Sequence, residues 1–374
     1  MTPRFRLEIQ RPADGARFPG PPAPDGFFRE VLDQVVFLGQ RRGVIGPDAA
    51  EARADVQPIL AGEDGQVAGV KVAAECDGRQ VEMVFGIDLF APLARLEIAR
   101  LAKQGRLGED DKVLYRVFAE AGGARSETVP QLGGSASTHS VSRPLSAVVA
   151  RVLRKPLPLR PGRLGDWRAA AASVGTIEDG DYPLFVTESA LGLARDYSRK
   201  PVDKEGGALL LGRLYRQDDP APEIFGVIDD VIEAKYAEQK LFSLNLNTNG
   251  FAYLNGQLRL RRERLGRSDE LPLGFAHAHN FLPSVLDDGQ ANCPSCPLRP
   301  TCKLSSSFYS AADVEFHRAL FSRAPYAVGL VWGYTPREED DLRAFHLDGG
   351  QARERGYYRI PDNAIPTGFQ RDEP

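Results

Sequence analysis

The stretch 272–313 contains residue types that could bind a metal ion. His277 and His279 lie two positions apart, so on an extended strand their imidazole rings would project from the same face. The mostly apolar residues 271–275 favour a strand at this position. Two imidazoles form half of a zinc site, and Asp313 is the candidate for a third, carboxylate ligand. Because an H-x-H pair also arises by chance and in protein cores, this prediction depends on what surrounds it.

The residues around this stretch predict strands and helices in alternation. Thr187 is a candidate N-cap for a helix that extends to Tyr197 and carries its apolar residues on one face. Ser310 stands one helical turn before Asp313, at the start of another helix. Apolar runs and helical spacing predict the remaining elements: strand 208–215, its antiparallel neighbour 223–234, helix 247–264, helix 311–322, strand 327–334, and a closing hairpin of 343–346 with 357–360 around Asp348-Gly349.

Residues 1–130 predict a small α+β domain without a catalytic constellation, so binding or positioning is its expected role. The pair Asp77-Gly78 between two alternating segments is a strong hairpin signal. The predicted elements are strands 4–9, 67–74, 80–85 and 113–118 and helices 28–37 and 92–103. Residues 131–180, rich in Gly, Ser, Thr and Pro, are predicted as a linker with a helical patch at 144–154, and 181–374 as the second domain.

The order of Glu205, the H-x-H strand and the S-x-x-D helix start at 310–313 resembles the JAMM motif of the JAB/MPN metallopeptidases. The segments 205–212, E-G-G-A-L-L-L-G, and 274–279, G-F-A-H-A-H, match the glutamate and histidine elements of that family. Three linked elements in the expected order are more specific than any one alone, and the resemblance covers 182–360. It implies an α+β or α/β fold: the cytidine-deaminase-like mixed sheet of JAB/MPN proteins with its helices, preceded by the small α+β domain.

Within this resemblance each motif residue has a chemical role. His277, His279 and Asp313 would hold a catalytic Zn²⁺ and leave a fourth position for water. The ion would lower the pKa of that water and polarise the scissile carbonyl. Glu205 would take the proton of the water and deliver it to the leaving amine. Ser310 would donate a hydrogen bond to the developing oxyanion, near the positive end of the helix dipole.

Each of these residues also has an ordinary structural interpretation. Glu205 is compatible with a solvated carboxylate at a strand edge, and Asp313 with an acid in the first turn of a helix, where acids are common. Ser310 is compatible with a simple N-cap. Three further histidines have no partner in the motif and are expected in the core, at the surface or in the linker: His139, His317 and His346.

The chain departs from the family pattern at two places. Asn280 follows the second histidine, where the family usually has proline, and this changes the turn. Thirty residues separate His279 from Ser310, far more than is usual in the family. The additional segment, about 283–306, contains the sequence C-P-S-C-P-L-R-P-T-C.

This additional segment predicts a second metal site. Cys293, Cys296 and Cys302 combine a C-x₂-C knuckle with a third cysteine after a five-residue gap. Cys76 is the candidate fourth ligand of a structural Zn²⁺, and His317 or an open position is the alternative. The spacing is similar to that of some iron–sulfur nucleases, so an Fe–S cluster is a further alternative. The plain interpretation is three reduced thiols in a small loop.

The composition is typical of a globular protein. With 42% hydrophobic and 26% charged residues among 374, we expect an ample core and two domains. The net charge of −4 gives no electrostatic footprint for nucleic acid. No apolar run approaches the roughly 20 residues of a membrane span, and residues 1–20 lack the apolar core of a signal peptide. We therefore expect a cytoplasmic protein that binds neither nucleic acid nor a membrane. In that compartment the clustered cysteines favour metal binding over a disulfide framework.

The resemblance implies a zinc-dependent isopeptidase or peptidase, deubiquitinase-like, that cleaves after the C-terminus of a ubiquitin-like protein. Compact prokaryotic members of the family occur beside ubiquitin-like, E1-like and E2-like proteins, which are therefore the expected partners, together with the conjugates. Maturation of a precursor and removal from a conjugate both fit. One alternative is a JAMM peptidase that processes sulfur-carrier proteins or small peptides. The other is a non-catalytic MPN scaffold, which the presence of all five motif residues disfavours.

Overall fold

The computed structural model of the chain describes residues 4–24, 26–49, 51–61, 65–108, 110–120, 148–153, 156–200, 205–240, 243–283, 296–297 and 299–366. The chain divides into two compact units. Unit 1 comprises Met1–Gly39 and Ala49–Arg154, and unit 2 comprises Gln40–Asp48 and Lys155–Pro374. The boundary after Arg154 falls inside the segment that was expected to be a linker.

Unit 1 combines antiparallel strands with helices. Its elements are β1 (Arg4–Arg11), β2 (Ala16–Pro22), α1 (Arg29–Arg41, whose last two residues belong to unit 2), β3 (Glu51–Leu60), β4 (Val67–Cys76), β5 (Arg79–Gly86), α2 (Ala91–Lys103), β6 (Leu114–Glu120) and β7 (Val148–Leu153). One sheet has the strand order β2-β1-β6, and the other has the order β5-β4-β3-β7. The rings of Phe5, Phe28 and Phe90 lie 4.9–6.0 Å apart in the buried core, so aromatic packing joins β1 to the starts of both helices.

The hairpin predicted around Asp77-Gly78 is confirmed. Strands β4 and β5 pair antiparallel up to Cys76 and Arg79. Asp77 and Gly78 have φ angles of 52° and 74°, the left-handed conformation that a two-residue hairpin turn demands and that an Asp-Gly pair tolerates. The other strands and both helices predicted in residues 4–118 are also found, with bounds shifted by a few residues.

The helical patch predicted at 144–154 is wrong over Val148–Leu153, which form a strand. This strand, β7, pairs antiparallel with β3 from Val56 to Glu51. The sequence V-V-A-R-V-L is rich in β-branched residues, which favour a pleated surface over a helix. Positions 121–147, with most of the Gly/Ser-rich stretch and His139, lie outside the described residues.

Unit 2 alternates strands and helices, and its elements are as follows: β8 (Leu159–Pro161), α3 (Leu164–Ala170), β9 (Ala172–Val174), β10 (Leu184–Thr187), α4 (Glu188–Arg199), β11 (Gly207–Gln217), β12 (Glu223–Glu233), β13 (Ala237–Lys240), β14 (Ser243–Leu246), α5 (Thr248–Arg264), β15 (Leu271–Ala278), α6 (Ala311–Phe321), β16 (Val328–Tyr334), β17 (Asp340–Asp348), β18 (Gln351–Arg355) and β19 (Tyr357–Ile360). The large mixed sheet has the order β18-β17-β16-β15-β11-β12-β10-β19-β9, with β8 beside β11, and β13 pairs only with β14 among the described strands.

The centre of this sheet is buried and apolar. β11 is antiparallel to both β12 and β15, whereas β15 and β16 are parallel. Leu254 of α5 and Phe321 of α6 pack in one cluster with Leu209 and Phe275 of the central strands. The predicted N-cap of α4 is confirmed, because the Thr187 hydroxyl accepts a hydrogen bond from the backbone N–H of Ala190.

The closing hairpin of 343–346 with 357–360 is wrong in its second strand. β17 pairs with β18, which returns directly through Gly349 and Gly350 at φ angles of 55° and 80°. Tyr357–Ile360 instead form β19, which lies between β10 and β9, at the opposite end of the strand order from β17. The two-glycine turn is tight, so the residues on either side of it pair with each other. Tyr357 and Ile360 are buried within the sheet as part of β19.

The fold is therefore of the mixed α+β class. Helices and strands from both halves of the chain contribute to it, in three sheets and one isolated hairpin of the described strands. None of the helices that the structure describes has both the length and the apolar character needed to cross a bilayer.

Candidate metal centre

One end of the β11–β15 pair brings three predicted site residues together. Gly207 at the start of β11 pairs with His277 of β15, so Glu205, two residues earlier, stands at the same end of the sheet. His279 comes directly after β15. Asp313 lies in the first turn of α6, close enough to reach His277.

The separations within this cluster suit a shared metal ion. His277 Nε2 lies 3.3 Å from Asp313 Oδ1, and His279 Nε2 lies 3.5 Å from Glu205 Oε1. Two ligand atoms on one tetrahedral Zn²⁺, each about 2.1 Å from the ion, are about 3.4 Å apart. Ligand atoms of Glu205, His277 and His279 all lie within 4.8 Å of one another. These three buried side chains therefore have the types and spacing to hold a metal ion.

Unmet hydrogen-bonding capacity points to the same conclusion. Glu205 is 1% exposed, and neither of its carboxylate oxygens has a hydrogen-bond partner among the described residues. His277 Nε2 is also buried and makes no hydrogen bond of good geometry within this part of the chain, although Asp313 Oδ1 is near. Since buried polar atoms are almost always bonded, such orphaned atoms in one cluster fit a cation between them.

The other ring nitrogen of His279 fixes its tautomer. His279 Nδ1 lies 2.5 Å from the backbone carbonyl oxygen of Ser306, which can only accept a hydrogen bond. Nδ1 must therefore carry the proton, and Nε2 keeps a free lone pair directed towards Glu205. A metal-binding histidine is usually held by a bond of this kind.

The two carboxylates have opposite electrostatic environments. Burial raises the pKa of Glu205 to about 7, with the charge of Asp313 adding to it and that of His277 opposing it. Burial would also raise the pKa of Asp313, but the nearby charge of His277 and the hydrogen bond from the Ser310 backbone N–H hold it well below its usual range. Asp313 is therefore anionic at neutral pH, whereas Glu205 can gain or lose a proton there.

The histidines also differ from each other. Burial opposes protonation of His277, but the nearby charges of Asp313 and Glu205 outweigh it and raise the pKa. Burial, assisted by the charge of His277, lowers the pKa of His279 to about 4. His279 is therefore neutral at pH 7, the form in which an imidazole binds a metal.

Ser310 and Asp313 form a capping box at the start of α6. The Ser310 hydroxyl accepts from the backbone N–H of Asp313 at 3.2 Å, and the backbone N–H of Ser310 donates to Asp313 Oδ2 at 2.7 Å. The predicted N-cap is thus confirmed, and it holds Asp313 with its other oxygen, Oδ1, near His277.

Aromatic rings cover His279. The ring of Phe281 stacks at 5.2 Å between centroids, and the ring of Phe308 lies at 4.7 Å. Phe308 is 46% exposed, so an apolar surface lies beside the candidate metal ligand.

Two positioning contacts had no signal in the motif. The first is the Ser306 carbonyl, which lies in the segment before α6. This segment packs against β16, where the Tyr334 N–H donates to Ser306 Oγ at 2.8 Å. A Cβ at Gly333 would lie 2.1 Å from the Ser307 nitrogen, so only glycine allows this approach, and it is a signal that sequence could have offered. The second is Arg199 at the end of α4, which donates to the Asn280 side chain at 2.7 Å.

The predicted cysteine site is only partly within the described residues. Cys293 lies outside them. Cys296 and Cys302 of unit 2 and Cys76 of unit 1 are half-buried thiols that form no disulfide. His317, the alternative fourth ligand, lies with Nδ1 2.8 Å from the hydroxyl of Tyr309. The second metal and its choice of ligands stay predictions.

Comparison with known proteins adds little to this geometry. No protein-family model matches the chain, and no curated protein matches it. A solution structure of protein DSY2949 from Desulfitobacterium hafniense is similar over 48% of this chain and 92% of that chain, with 15% sequence identity and a TM-score of 0.31. A score that low carries no argument about fold or function.

Proposed function

We propose that this chain is a zinc-dependent isopeptidase or peptidase of the JAB/MPN type that cleaves after the C-terminus of a ubiquitin-like protein. The observation that carries the proposal is the state of Glu205. Its carboxylate is buried, has no hydrogen-bond partner among the described residues, and lies 3.5 Å from a histidine whose Nε2 has a free lone pair. A structural glutamate would be paired, whereas one that handles protons beside a metal must keep its oxygens available.

His277, His279 and Asp313 would hold the ion through the two Nε2 atoms and Asp313 Oδ1. The proximity of His277 and Asp313, the fixed tautomer of His279 and the anionic state of Asp313 support this assignment. The ligand atoms of Glu205 and of the two histidines also lie within 4.8 Å of one another, but the raised pKa of Glu205 favours the role of proton carrier over that of permanent ligand. When bound, Zn²⁺ supplies Lewis acidity towards water and towards the scissile carbonyl.

Glu205 moves one proton through the reaction. Its carboxylate takes a proton from the attacking water as the water oxygen bonds to the carbonyl carbon. The same proton passes to the amine nitrogen as the C–N bond breaks, which leaves a carboxylic acid on the ubiquitin-like protein and a free amine on its former partner; the acid then loses its proton to solvent. A pKa of about 7 suits a group that must act as base and then as acid near neutral pH.

Ser310 stabilises the oxyanion. Its oxygen accepts from the Asp313 N–H, so its own hydroxyl hydrogen can be donated to the developing negative charge. Its place at the start of α6 adds the positive end of the helix dipole. The exposed ring of Phe308 offers an apolar surface beside His279 along which an extended C-terminal tail could lie.

The test uses ubiquitin-like proteins encoded near this gene, each fused through its C-terminal residue to a fluorescent reporter. We expect cleavage at that residue, loss of cleavage with 1,10-phenanthroline, and recovery on addition of ZnCl₂. Asp313→Ala should lose bound zinc and activity together, whereas Glu205→Gln should keep zinc and lose activity. Cleavage that survives both the chelator and Glu205→Gln would refute the mechanism. A zinc-loaded protein that cleaves none of the fusions would refute the substrate class.

A further inference from the structure

Arg199 holds the peptide that follows the second histidine. His279 is the first residue beyond β15, so the strand ladder no longer fixes it on its C-terminal side. Its N–H still donates to the Trp332 carbonyl at 2.8 Å, which secures the side towards the strand. On the other side, Arg199 Nη1 donates to the His279 carbonyl at 3.3 Å and to Asn280 Oδ1 at 2.7 Å.

The guanidinium is itself immobilised by other contacts. Arg199 Nη2 donates to the Gly333 carbonyl at 2.8 Å and to Asp340 Oδ1 at 3.2 Å. The guanidinium carbon lies 4.0 Å from the centre of the Tyr334 ring, a cation–π contact. The side chain is only 15% exposed, so these contacts are well shielded from water. A planar group with this many fixed partners is a rigid donor.

We propose that Arg199 is a positioning residue for metal binding: through the His279 carbonyl and Asn280, it keeps His279 Nε2 aimed at the ion. Asn280 follows His279 directly, so its bond to Arg199 restrains the turn immediately after the metal ligand. This inference rests on the metal site of the proposed function, but on no particular substrate.

Arg195 provides a matched control in the same helix. It also pairs with Asp340, its side chain is 55% exposed, and no contact joins it to His279 or Asn280 among those the structure records. Arg195→Ala therefore removes a neighbouring positive charge that shares Asp340 with Arg199, but it leaves the bonds from Arg199 to His279 and Asn280 in place. Arg199→Lys keeps the positive charge but removes the planar guanidinium, which can donate to several acceptors at once.

The experiment measures the affinity of the full chain for the Zn²⁺ equivalent that Asp313→Ala removes, by competition with a chelator of known affinity, after circular dichroism has shown that each variant is folded. Arg199→Lys and Arg199→Ala should bind Zn²⁺ about 10- to 100-fold more weakly than wild type, and Arg195→Ala within about twofold. Asn280→Ala combined with Arg199→Ala should cost less than the product of the single effects, because both remove the same bond.

Three results would overturn the inference. Unchanged affinity in folded Arg199→Lys would show that the clamp does not position His279, while leaving the proposed function intact. An equal loss in Arg195→Ala would show that only charge matters. A wild-type chain that binds no Zn²⁺ would overturn this inference and the proposed function together.

Discussion

Two buried glutamates, one in each unit, differ in how their carboxylates are hydrogen-bonded. Glu97 of α2 is 3% exposed, and Arg100, one turn later, donates to both of its oxygens at 2.5 and 2.8 Å. Glu205 before β11 is 1% exposed, and neither oxygen has a hydrogen-bond partner among the described residues. The two groups are nearly equal in burial and opposite in bonding.

Burial alone therefore does not mark a functional residue. An unpaired buried carboxylate costs free energy that a paired one does not, and a fold tolerates that cost where a ligand or a reaction uses the group. The nearest side chains agree with this interpretation, because Glu205 faces His279 whereas Glu97 faces an arginine.

The largest effect is expected from Glu205→Gln. The amide has nearly the same shape but cannot accept and return a proton, so turnover should fall by about 10²- to 10⁴-fold. The melting temperature of the metal-free protein should stay the same or rise, because an unpaired buried charge is removed. Steady-state kinetics on a fusion substrate and thermal unfolding measure the two quantities.

Glu97→Gln is the matched variant for this comparison. It breaks the charged pair with Arg100 and should lower the melting temperature, while turnover stays within about twofold of wild type. If Glu205→Gln destabilised the protein and spared turnover, the contrast between the two glutamates would be reversed and its functional interpretation would be wrong.

The same contrast applies to two helix caps. Ser310 and Thr187 both accept a backbone N–H at the start of a helix, but of the two only Ser310 lies beside a candidate metal ligand, Asp313. Ser310→Ala should lower kcat by about 10²-fold through the lost oxyanion donor, and lower stability by about 1 kcal/mol through the lost cap. Thr187→Ala should show the loss of stability only. If the two variants had equal kcat, Ser310 would act only as a helix cap.

How far the sequence predicts this molecule depends on the distance over which each interaction acts. Thr187, Ser310 and Asp77-Gly78 were identified correctly because caps and tight turns are decided within four residues. The partner of β17 was not, because 351–355 and 357–360 both have strand character and only the competition for sheet edges decides between them.

In the candidate site, too, the long-range contacts were the part that the sequence did not predict. The order of the motif residues and the resemblance to the JAMM motif selected Glu205, the histidines, Ser310 and Asp313. The structure brings Asp313 next to His277 and Glu205 next to His279. The residues that hold them were not predictable. Arg199 reaches residues 80 to 141 positions away in the chain. The group that fixes the His279 tautomer is a backbone carbonyl, which has no residue signature of its own; Gly333, which allows this segment to approach β16, is an indirect one.

The cysteine segment is predicted to bind a second metal ion, and this can be measured. Wild-type protein should contain about two metal equivalents per chain and Cys296→Ser about one, with a lower melting temperature, because structural metal binding contributes to folding. Elemental analysis of purified protein gives the ratio. One equivalent that is unaffected by Cys296→Ser would reject the second site. Two equivalents that are unaffected by Cys76→Ser would keep the site and reject Cys76 as its fourth ligand.

The smallest effect concerns His317, a buried titratable group that, unlike Glu205, has a hydrogen-bond partner. Burial, with a smaller effect from the charge of Arg318, lowers its pKa from 6.5 to about 4. The unfolded chain therefore binds a proton more readily than the folded one, so this contribution to stability is complete above pH 6.5 and is lost as the pH falls towards 4. Between pH 7 and pH 5 the loss is about 2 kcal/mol.

Urea unfolding followed by tryptophan fluorescence measures this loss in unit 2 alone, because Trp167 and Trp332, the two tryptophans of the chain, both lie there. His317→Gln cannot titrate, so its free energy of unfolding should fall by about 2 kcal/mol less than that of wild type over the same pH range. Its turnover should stay close to wild type, because the hydroxyl of Tyr309 already occupies Nδ1 and no proton transfer to substrate passes through this ring. Equal pH dependence of the two proteins would show that His317 is not held neutral by the fold. A large fall in turnover would instead make His317 a functional partner of the metal cluster.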